Sequence, residues 1–302
     1  MTESLQDLER RIESATELHT ITRTMRSLAA VNVRHHELAA GAAAEYERII
    51  EDGLQVVLRD GGFERLPSGE VAASAPTAIV VFGSNQGLCG PVNRHVVAHA
   101  VVEAQRWPSL AVVGAVGDRL AAELEVVGLV PASRWDLPST VERIAPRAEQ
   151  VLLRADEWRA EHGVERIRLV FPSYVSRARG YDPVTTQLAP TDRDWLRRLS
   201  TRAWRSRVLP TYTIAWDRLF PELIREAMLV NLHRTFAQTM VSVAASRLTA
   251  MDAAQQDIEQ RLARMRSRHQ QLRQSEITEE LIDVVSGFEV LTSERGAEVS
   301  DG

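Results

Sequence analysis

The chain lacks lysine altogether and contains a single cysteine. All 36 basic residues are therefore arginine, which indicates a genome rich in GC codons more than a functional demand. The lone cysteine, Cys89, excludes an internal disulfide bond and a cysteine-based zinc site. The formal net charge is −5, so nothing global attracts the chain to nucleic acid or to an acidic membrane surface.

Long apolar segments are also missing. The residues after Met1 include Glu3 and Asp7 but no apolar core, so the sequence indicates no signal peptide. No apolar run approaches the roughly 20 residues that span a bilayer. We therefore expect a soluble, cytoplasmic chain that reaches a membrane only through partners.

Proline and tryptophan are absent from both ends of the chain. All twelve prolines lie between Pro67 and Pro221, and all six tryptophans lie between Trp107 and Trp216. Proline inside a helix costs roughly 3 kcal/mol, so each proline-free end can form one long helix. The sequence predicts an α/β fold plus a long antiparallel coiled coil of the N- and C-terminal helices.

The N-terminal end carries a helical apolar pattern with steps of three and four residues. We interpret it as a narrow seam with one phase shift, as in a coiled coil with a stammer. Its members are Met1, Leu5, Leu8, Ile12 and Ala15, followed after the shift by Leu18, Ile21, Met25 and Leu28. The pattern predicts a shaft helix over residues 1–60, followed by a glycine-containing linker over residues 61–76.

The C-terminal end predicts a second shaft helix, over residues 211–287. One unbroken heptad series comprises Ala244, Leu248, Met251, Gln255, Ile258, Leu262, Met265, His269 and Leu272, and Ile277, Leu281, Val284 and Phe288 continue in a shifted phase. Gly287 is the first glycine after Gly180 and predicts the end of this helix. Residues 288–302 are predicted to form an acidic tail, and its residues 293–302 are predicted to bury too little apolar surface to order themselves.

The middle of the chain, residues 77–210, reads as a small Rossmann-like domain with a largely parallel sheet. Two continuous apolar runs, Thr77–Phe82 and Leu110–Val116, are typical of buried strands. Helices are predicted over residues 92–106, 118–127 and 146–161, and a final hairpin is predicted from residues 166–174 and 181–188.

A glycine loop lies between the first strand and the first helix of this domain. Its sequence, GSNQGLCG at residues 83–90, contains Gly83, Gly87 and Gly90. A phosphate cradle occupies this position in nucleotide-binding folds, but no Lys-Ser/Thr pair follows the last glycine. We therefore interpret the loop as a tight structural turn that packs against another subunit.

Catalytic and metal-binding patterns are weak. His95 and His99 are four residues apart on a predicted helix, which is a chelating spacing, but no third ligand is spaced suitably. No nucleophile, base and acid set stands out. We expect no catalytic residue, no cofactor and no metal.

Two stretches carry only positive charge. Residues 18–36 contain three arginines and no acid, and residues 260–275 contain five arginines and no acid. If the two ends pair antiparallel, these stretches could lie side by side as one basic collar. Such a collar would meet acidic loops of a partner; nucleic acid is disfavoured because no aromatic residues are interleaved.

Three blocks of the sequence are distinctive. The first is residues 21–30 (ITRTMRSLAA), and the second is the glycine loop with Asn93 after it. The third runs from Ala250 through residues 273–281 (RQSEITEEL) to Gly287. Together they resemble the gamma subunit family of F-type rotary ATP synthases, over about a third of the chain. Between residues 101 and 210 the resemblance is one of layout only.

The resemblance implies a non-catalytic rotor at the centre of a bacterial complex, peripheral to the cytoplasmic face of the membrane. Its partners would be a hexameric ring of catalytic and noncatalytic nucleotide-binding subunits, an epsilon-type subunit and a c-type membrane ring. It implies neither nucleic acid binding nor direct membrane insertion. Rotation would couple ion flow to ATP synthesis or hydrolysis.

The resemblance also implies subunit-contact residues by position. On the N-terminal helix these are Arg23 and Met25; on the C-terminal helix they are Arg247, Arg273, Gln274, Thr278 and Glu280. Two features depart from the family: Asn32 replaces its usual lysine, and residues 293–302 extend past its usual end. The second favours a divergent, alternative branch driven by sodium ions or protons.

Two other interpretations stay open on the sequence alone. A nucleotide-binding α/β protein would explain the glycine loop but not the two long ends, and stabilisation of the chain by a nucleotide would favour it. A coiled-coil adaptor would dimerise through its heptads, which light scattering on the chain would detect.

Overall fold

The computed structural model describes residues 4–59, 62–66, 72, 74–176, 178–204, 207–208 and 210–300, with side chains described as far as Ser286. Two long helices form its ends, α1 (Leu5–Arg59) and α6 (Trp216–Ser300). Between them come five strands and four shorter helices. Residues 61, 67–71 and 73 of the predicted linker lie outside the described residues, and the described part contains a 3₁₀ turn at Phe63–Arg65.

The elements between the long helices alternate as the sequence predicts. In chain order they are β1 (Thr77–Phe82), α2 (Val92–Gln105), β2 (Leu110–Val116), α3 (Asp118–Val126), β3 (Ser133–Trp135), α4 (Ile144–His162), β4 (Arg166–Ser176), β5 (Gly180–Ala189) and α5 (Arg193–Thr201). The sheet order is β3-β2-β1-β4-β5. All neighbouring strands pair in parallel except β4 and β5, which form an antiparallel hairpin.

Both faces of the sheet are covered, which explains the continuous apolar runs of its strands. Every residue of β1 is buried. On one face, Ile79 and Val81 pack in a core cluster with side chains of α2 and α3. On the other face, Phe82 packs edge-on against Phe236 of α6, with ring centroids 5.0 Å apart. Part of α6 is therefore a layer of the α/β domain as well as a terminal helix.

The predicted fold class is confirmed: two long terminal helices accompany a small, mostly parallel sheet. The chain forms two compact units. One consists of Ser27–Ala250 and contains the sheet. The other consists of the chain as far as Arg26 together with the chain from Met251 onward.

The predicted end of the C-terminal helix at Gly287 is wrong, since α6 continues to Ser300. The prediction that residues 293–302 do not order themselves is wrong as far as Ser300, because the helix includes them. Glycine inside a helix costs only about 1 kcal/mol relative to alanine, and this one is followed by helix-forming Leu, Glu, Arg and Ala residues. A single glycine therefore does not stop this helix.

Candidate functional site

Three polar pairs join α1 to α6 within the unit formed by the two chain ends. His269 Nε2 lies 3.0 Å from Glu9 Oε1, and His19 Nε2 lies 3.0 Å from Glu259 Oε1. Arg26 forms an ion pair with Asp252. Each step forward along α1 is matched by an equal step back along α6, so the two helices pair antiparallel in a single register.

The C-terminal seam is confirmed as far as Leu272, but its predicted continuation through Ile277, Leu281 and Val284 is exposed. The phase shift predicted in α1 is wrong. Met251 and Leu262 are buried, and the heptad positions between them are half-buried. On α1, burial continues in the original phase through His19 and Thr22, while Leu18 and Ile21 are about half exposed. The apolar pattern of the sequence misleads here because polar residues occupy seam positions and apolar residues face away from the seam.

The predicted single basic collar is also wrong. The three cross-helix pairs place residues 260–275 beside the chain as far as residue 18, a stretch that includes Asp7, Glu9 and Glu13. The basic stretch of α1 lies further along the shaft, where Arg26 meets Asp252. The two basic stretches thus follow one another along the helix pair instead of lying side by side.

Exposed apolar side chains follow from the corrected phase. Leu18 is 54% exposed and Ile21 is 49% exposed on the outer face of α1. On α6, beyond the last cross-helix pair, the exposed apolar residues are Ile277, Leu281, Ile282, Val284 and Val285. Large exposed apolar patches mark protein–protein contact sites, which makes the α6 group a candidate contact surface.

The predicted contact residues occupy separate places. Arg23 is exposed and Met25 is half-buried, level with the segment of α6 between Asp252 and Glu259. Arg247 belongs to the unit that contains the sheet, where it is half-buried and lines a small cavity.

The remaining four, Arg273, Gln274, Thr278 and Glu280, are exposed on α6 beyond His269. At about 1.5 Å per residue, this group lies about 30 Å along α6 from the level of Arg23 and Met25. Thr278 Oγ1 donates to the Gln274 carbonyl at 2.8 Å, so its hydroxyl bonds to its own helix. The structure therefore presents two levels of predicted contacts on the shaft.

The glycine loop is held together by its own side chains. Asn93 Oδ1 accepts from the Ser84 backbone N–H at 3.0 Å, and Asn93 Nδ2 donates to Ser84 Oγ at 2.9 Å. Ser246 Oγ of α6 donates to the Cys89 carbonyl at 2.7 Å. Asn85 bonds both the N–H and the carbonyl of Leu137, which fastens the loop to the segment after β3. The loop thus locks α2, α6 and the sheet together.

The three loop glycines differ in what the backbone requires. Gly90 has φ +61°, and a Cβ there would approach Ser246 Oγ to 3.1 Å. A Cβ at Gly83 would lie 2.7 Å from Asn93 Oδ1. A Cβ at Gly87 would meet nothing within 4 Å, and its φ is not left-handed. The structural interpretation therefore suits Gly83 and Gly90, but the backbone freedom expected of Gly87 is not used.

The two histidines of α2 bond to strand β5. His95 Nδ1 lies 3.0 Å from the Tyr181 hydroxyl, and His99 Nε2 lies 2.9 Å from Thr185 Oγ1. Within the described residues no group of three or more His, Cys, Asp or Glu side chains could hold a metal ion. No helix in that part of the chain is both long and apolar enough to cross a membrane.

An ionic cluster that the sequence does not predict ties the end of α1 to the segment after α5. Arg202 reaches Glu51 at 3.1 Å and Asp52 at 2.5 Å, and its Nε donates to Gln55 Oε1 at 3.0 Å. Helix α5 is not predicted either, although Asp192 is a recognisable N-cap residue. Its Oδ1 accepts a hydrogen bond from the Asp194 backbone N–H at 2.9 Å.

Solved ATP synthase structures share this fold, a pair of long antiparallel terminal helices with a mostly parallel sheet between them in sequence. A chain of the Euglena gracilis mitochondrial ATP synthase shares the fold with a TM-score of 0.65 at 15% identity, covering 96% of this chain and 95% of that chain. A chain of the Tetrahymena thermophila central stalk and c-ring structure has a TM-score of 0.58 at 18% identity, covering 78% of this chain and 99% of that one.

The family model described as ATP synthase matches residues 4–291, and the chain belongs to this family. The ATP synthase gamma chain of a Cyanothece species is 27% identical, covering 95% of this chain and 99% of the relative. That of Desulforamulus reducens is 25% identical with the same coverage. The resemblance to gamma subunits is thereby confirmed.

Proposed function

We propose that this chain is the central rotor shaft of an F-type ATP synthase and that it carries no active site of its own. Rotation of the shaft couples ion flow through the membrane to the conformational cycle of a surrounding catalytic ring. The membership of the ATP synthase family and the gamma-chain relatives support the role. The geometry of the helix pair supports the mechanism.

The observation that carries the proposal is the outward-facing apolar surface of the helix pair. A coiled coil that only held itself together would place its leucines and isoleucines in the seam. Here His19 and Thr22 hold seam positions, while Leu18 and Ile21 face outward. A ring that encloses the shaft would cover these side chains without binding them in one fixed orientation, because apolar contact is non-directional.

The polar contacts proposed for the shaft complement this apolar surface. Arg23 and Met25 would contact the ring at one level, and Arg273, Gln274, Thr278 and Glu280 would contact it at the second level along α6. Charge-assisted hydrogen bonds are stronger and more directional than apolar contacts, so they would define preferred angular positions. Arg247, in the other unit, completes the proposed set.

The α/β domain forms the foot of the rotor in this proposal. Residues 77–210 would bind the c-type ring and an epsilon-type subunit, and residues 1–60 and 211–287 would form the shaft helices. The complex would lie at the cytoplasmic face of a bacterial membrane. Gly83 and Gly90 act structurally here, since the loop around them fastens α6 to the sheet.

A double substitution at the second level tests the proposal. Arg273→Ala with Gln274→Ala should leave the helicity of the isolated chain unchanged, because both side chains are exposed. ATP hydrolysis coupled to ion pumping by the assembled complex should fall about tenfold or more, as expected for loss of one charged hydrogen bond.

The matched control is Arg266→Ala with Gln270→Ala. It removes the same two residue types from exposed positions of the same helix that are not proposed contacts. Coupled activity should stay near the parental level. Equal losses of coupled activity in the two double variants would refute the assigned contacts. Lost helicity in the Arg273/Gln274 variant would show that these two residues act in folding and not in contact with the ring.

A further inference from the structure

A small cavity of about 170 Å³ lies where four segments of the sheet-containing unit meet. Its walls come from α1, from the glycine loop, from the segment after β3 and from α6. At about 30 Å³ per water molecule it has room for about five waters. It is too small for a nucleotide, since pockets for organic ligands begin at about 300 Å³.

The α1 side of the cavity presents a buried histidine with one unpartnered ring nitrogen. His36 is only 8% exposed, and its Nδ1 atom has no hydrogen-bond partner among the described residues. Burial, assisted by the neighbouring His35, lowers the pKa of His36. Buried polar atoms are almost always hydrogen-bonded, so this imidazole nitrogen is available to bond a ligand or a water in the cavity.

The α6 side contributes a permanent positive charge. Arg247 is half-buried at the cavity wall, and within the described residues it forms no ion pair. None of the described residues that line the cavity is acidic. The Gln86 amide and the Ser139 hydroxyl add further hydrogen-bond donors to the wall. The lining thus favours a negatively charged ligand that accepts several hydrogen bonds.

The walls are also fixed in position. The Asn85 side chain bonds the Leu137 backbone at 2.7 and 2.8 Å, which joins the glycine loop to the segment after β3. Ser246 Oγ bonds the Cys89 carbonyl at 2.7 Å, which joins the same loop to α6. A site whose supports are already bonded loses little freedom when it binds a ligand.

We propose that this cavity binds a small oxyanion of the size of inorganic phosphate, with Arg247 as its charge partner and His36 as its buried hydrogen-bond donor. The oxyanion is free in solution. A carboxylate on a partner subunit would present the same chemistry, and the experiment separates the two sources because it uses the isolated chain. The inference does not rest on the proposed rotor function.

Inorganic phosphate is the probe, titrated into the purified full-length chain at neutral pH by calorimetry. We expect a millimolar or tighter Kd and a matching change in the NMR shift of the His36 ring. Arg247→Gln should weaken binding about tenfold or more, since it removes a charge-assisted hydrogen bond. His36→Gln should also weaken binding while keeping a polar group at the wall.

Arg218→Gln is the matched control, because Arg218 is an exposed arginine of the same helix away from the cavity. It should leave the Kd unchanged. Equal weakening by Arg218→Gln and Arg247→Gln would show non-specific attraction and overturn the proposal. So would the absence of phosphate binding to the parental chain up to tens of millimolar, which would leave water or a partner's carboxylate as the occupant.

Discussion

Leu262 tests the helix pairing most quantitatively. It is only 6% exposed and lies on α6 between the cross-helix pairs made by Glu259 and His269. Leu262→Ala removes three carbon atoms, worth about 0.8 kcal/mol each, and leaves a cavity that adds to the loss. We expect the helix pair to lose about 3 kcal/mol. Alanine and leucine are both strong helix formers, so helix propensity contributes little to this value.

Hydrogen exchange of the backbone amides around Leu262 measures this loss. A change of about 3 kcal/mol should raise the local opening constant about a hundredfold. Leu281→Ala is the matched control, since Leu281 is a leucine of the same helix that is 60% exposed. Its effect should stay within about 0.5 kcal/mol. Equal effects at the two leucines would refute the seam described here.

Three further predictions follow from local geometry. Gly90→Val should destabilise the chain in thermal unfolding because of its left-handed φ, whereas Gly87→Val should leave the melting temperature nearly unchanged. Burial lowers the pKa of His36 and His233, so the unfolded chain binds more protons, and stability should decrease as the pH falls through the ordinary histidine range. His36→Gln in phosphate-free buffer should flatten this profile, and an unchanged profile would contradict the prediction. Truncation after Leu291 should leave assembly of the complex intact on a native gel. Failed assembly would contradict this and would show that the end of α6 is needed for contact with the catalytic ring.

The sheet could be predicted closely from the sequence because its strands are buried on both faces. The continuous apolar runs Thr77–Phe82 and Leu110–Val116 coincide with β1 and β2. Strand β3 was not predicted, since it has only three residues and is not apolar. Helix α5 was missed although its N-cap is visible in the sequence.

The two long helices show where apolar periodicity no longer suffices to predict which side chains are buried in the seam. On α6 the seam is apolar at most positions, so the heptad series predicts burial correctly as far as Leu272. On α1 the seam contains His19 and Thr22, and the pattern follows outward-facing residues such as Leu18 instead. The exposed surface of α1 therefore carries its own apolar residues, and their spacing in the sequence resembles that of a seam.

The cavity beside His36 could not be predicted from the sequence at all. Its wall residues come from four segments that only the folded chain brings together, one of them the glycine loop. The contact residues were named by resemblance to a family. The structure contributes their exposure and their separation along α6.

Rotation of this chain inside its complex is the most direct test of the proposed function. Cys89 is buried, so a cysteine introduced by Leu153→Cys, at an exposed position of α4, would be the reactive site for a visible probe. With the catalytic ring immobilised and ATP supplied, we expect the probe to turn continuously in one direction. ATP turnover by the same complexes with a stationary probe would contradict the rotor function.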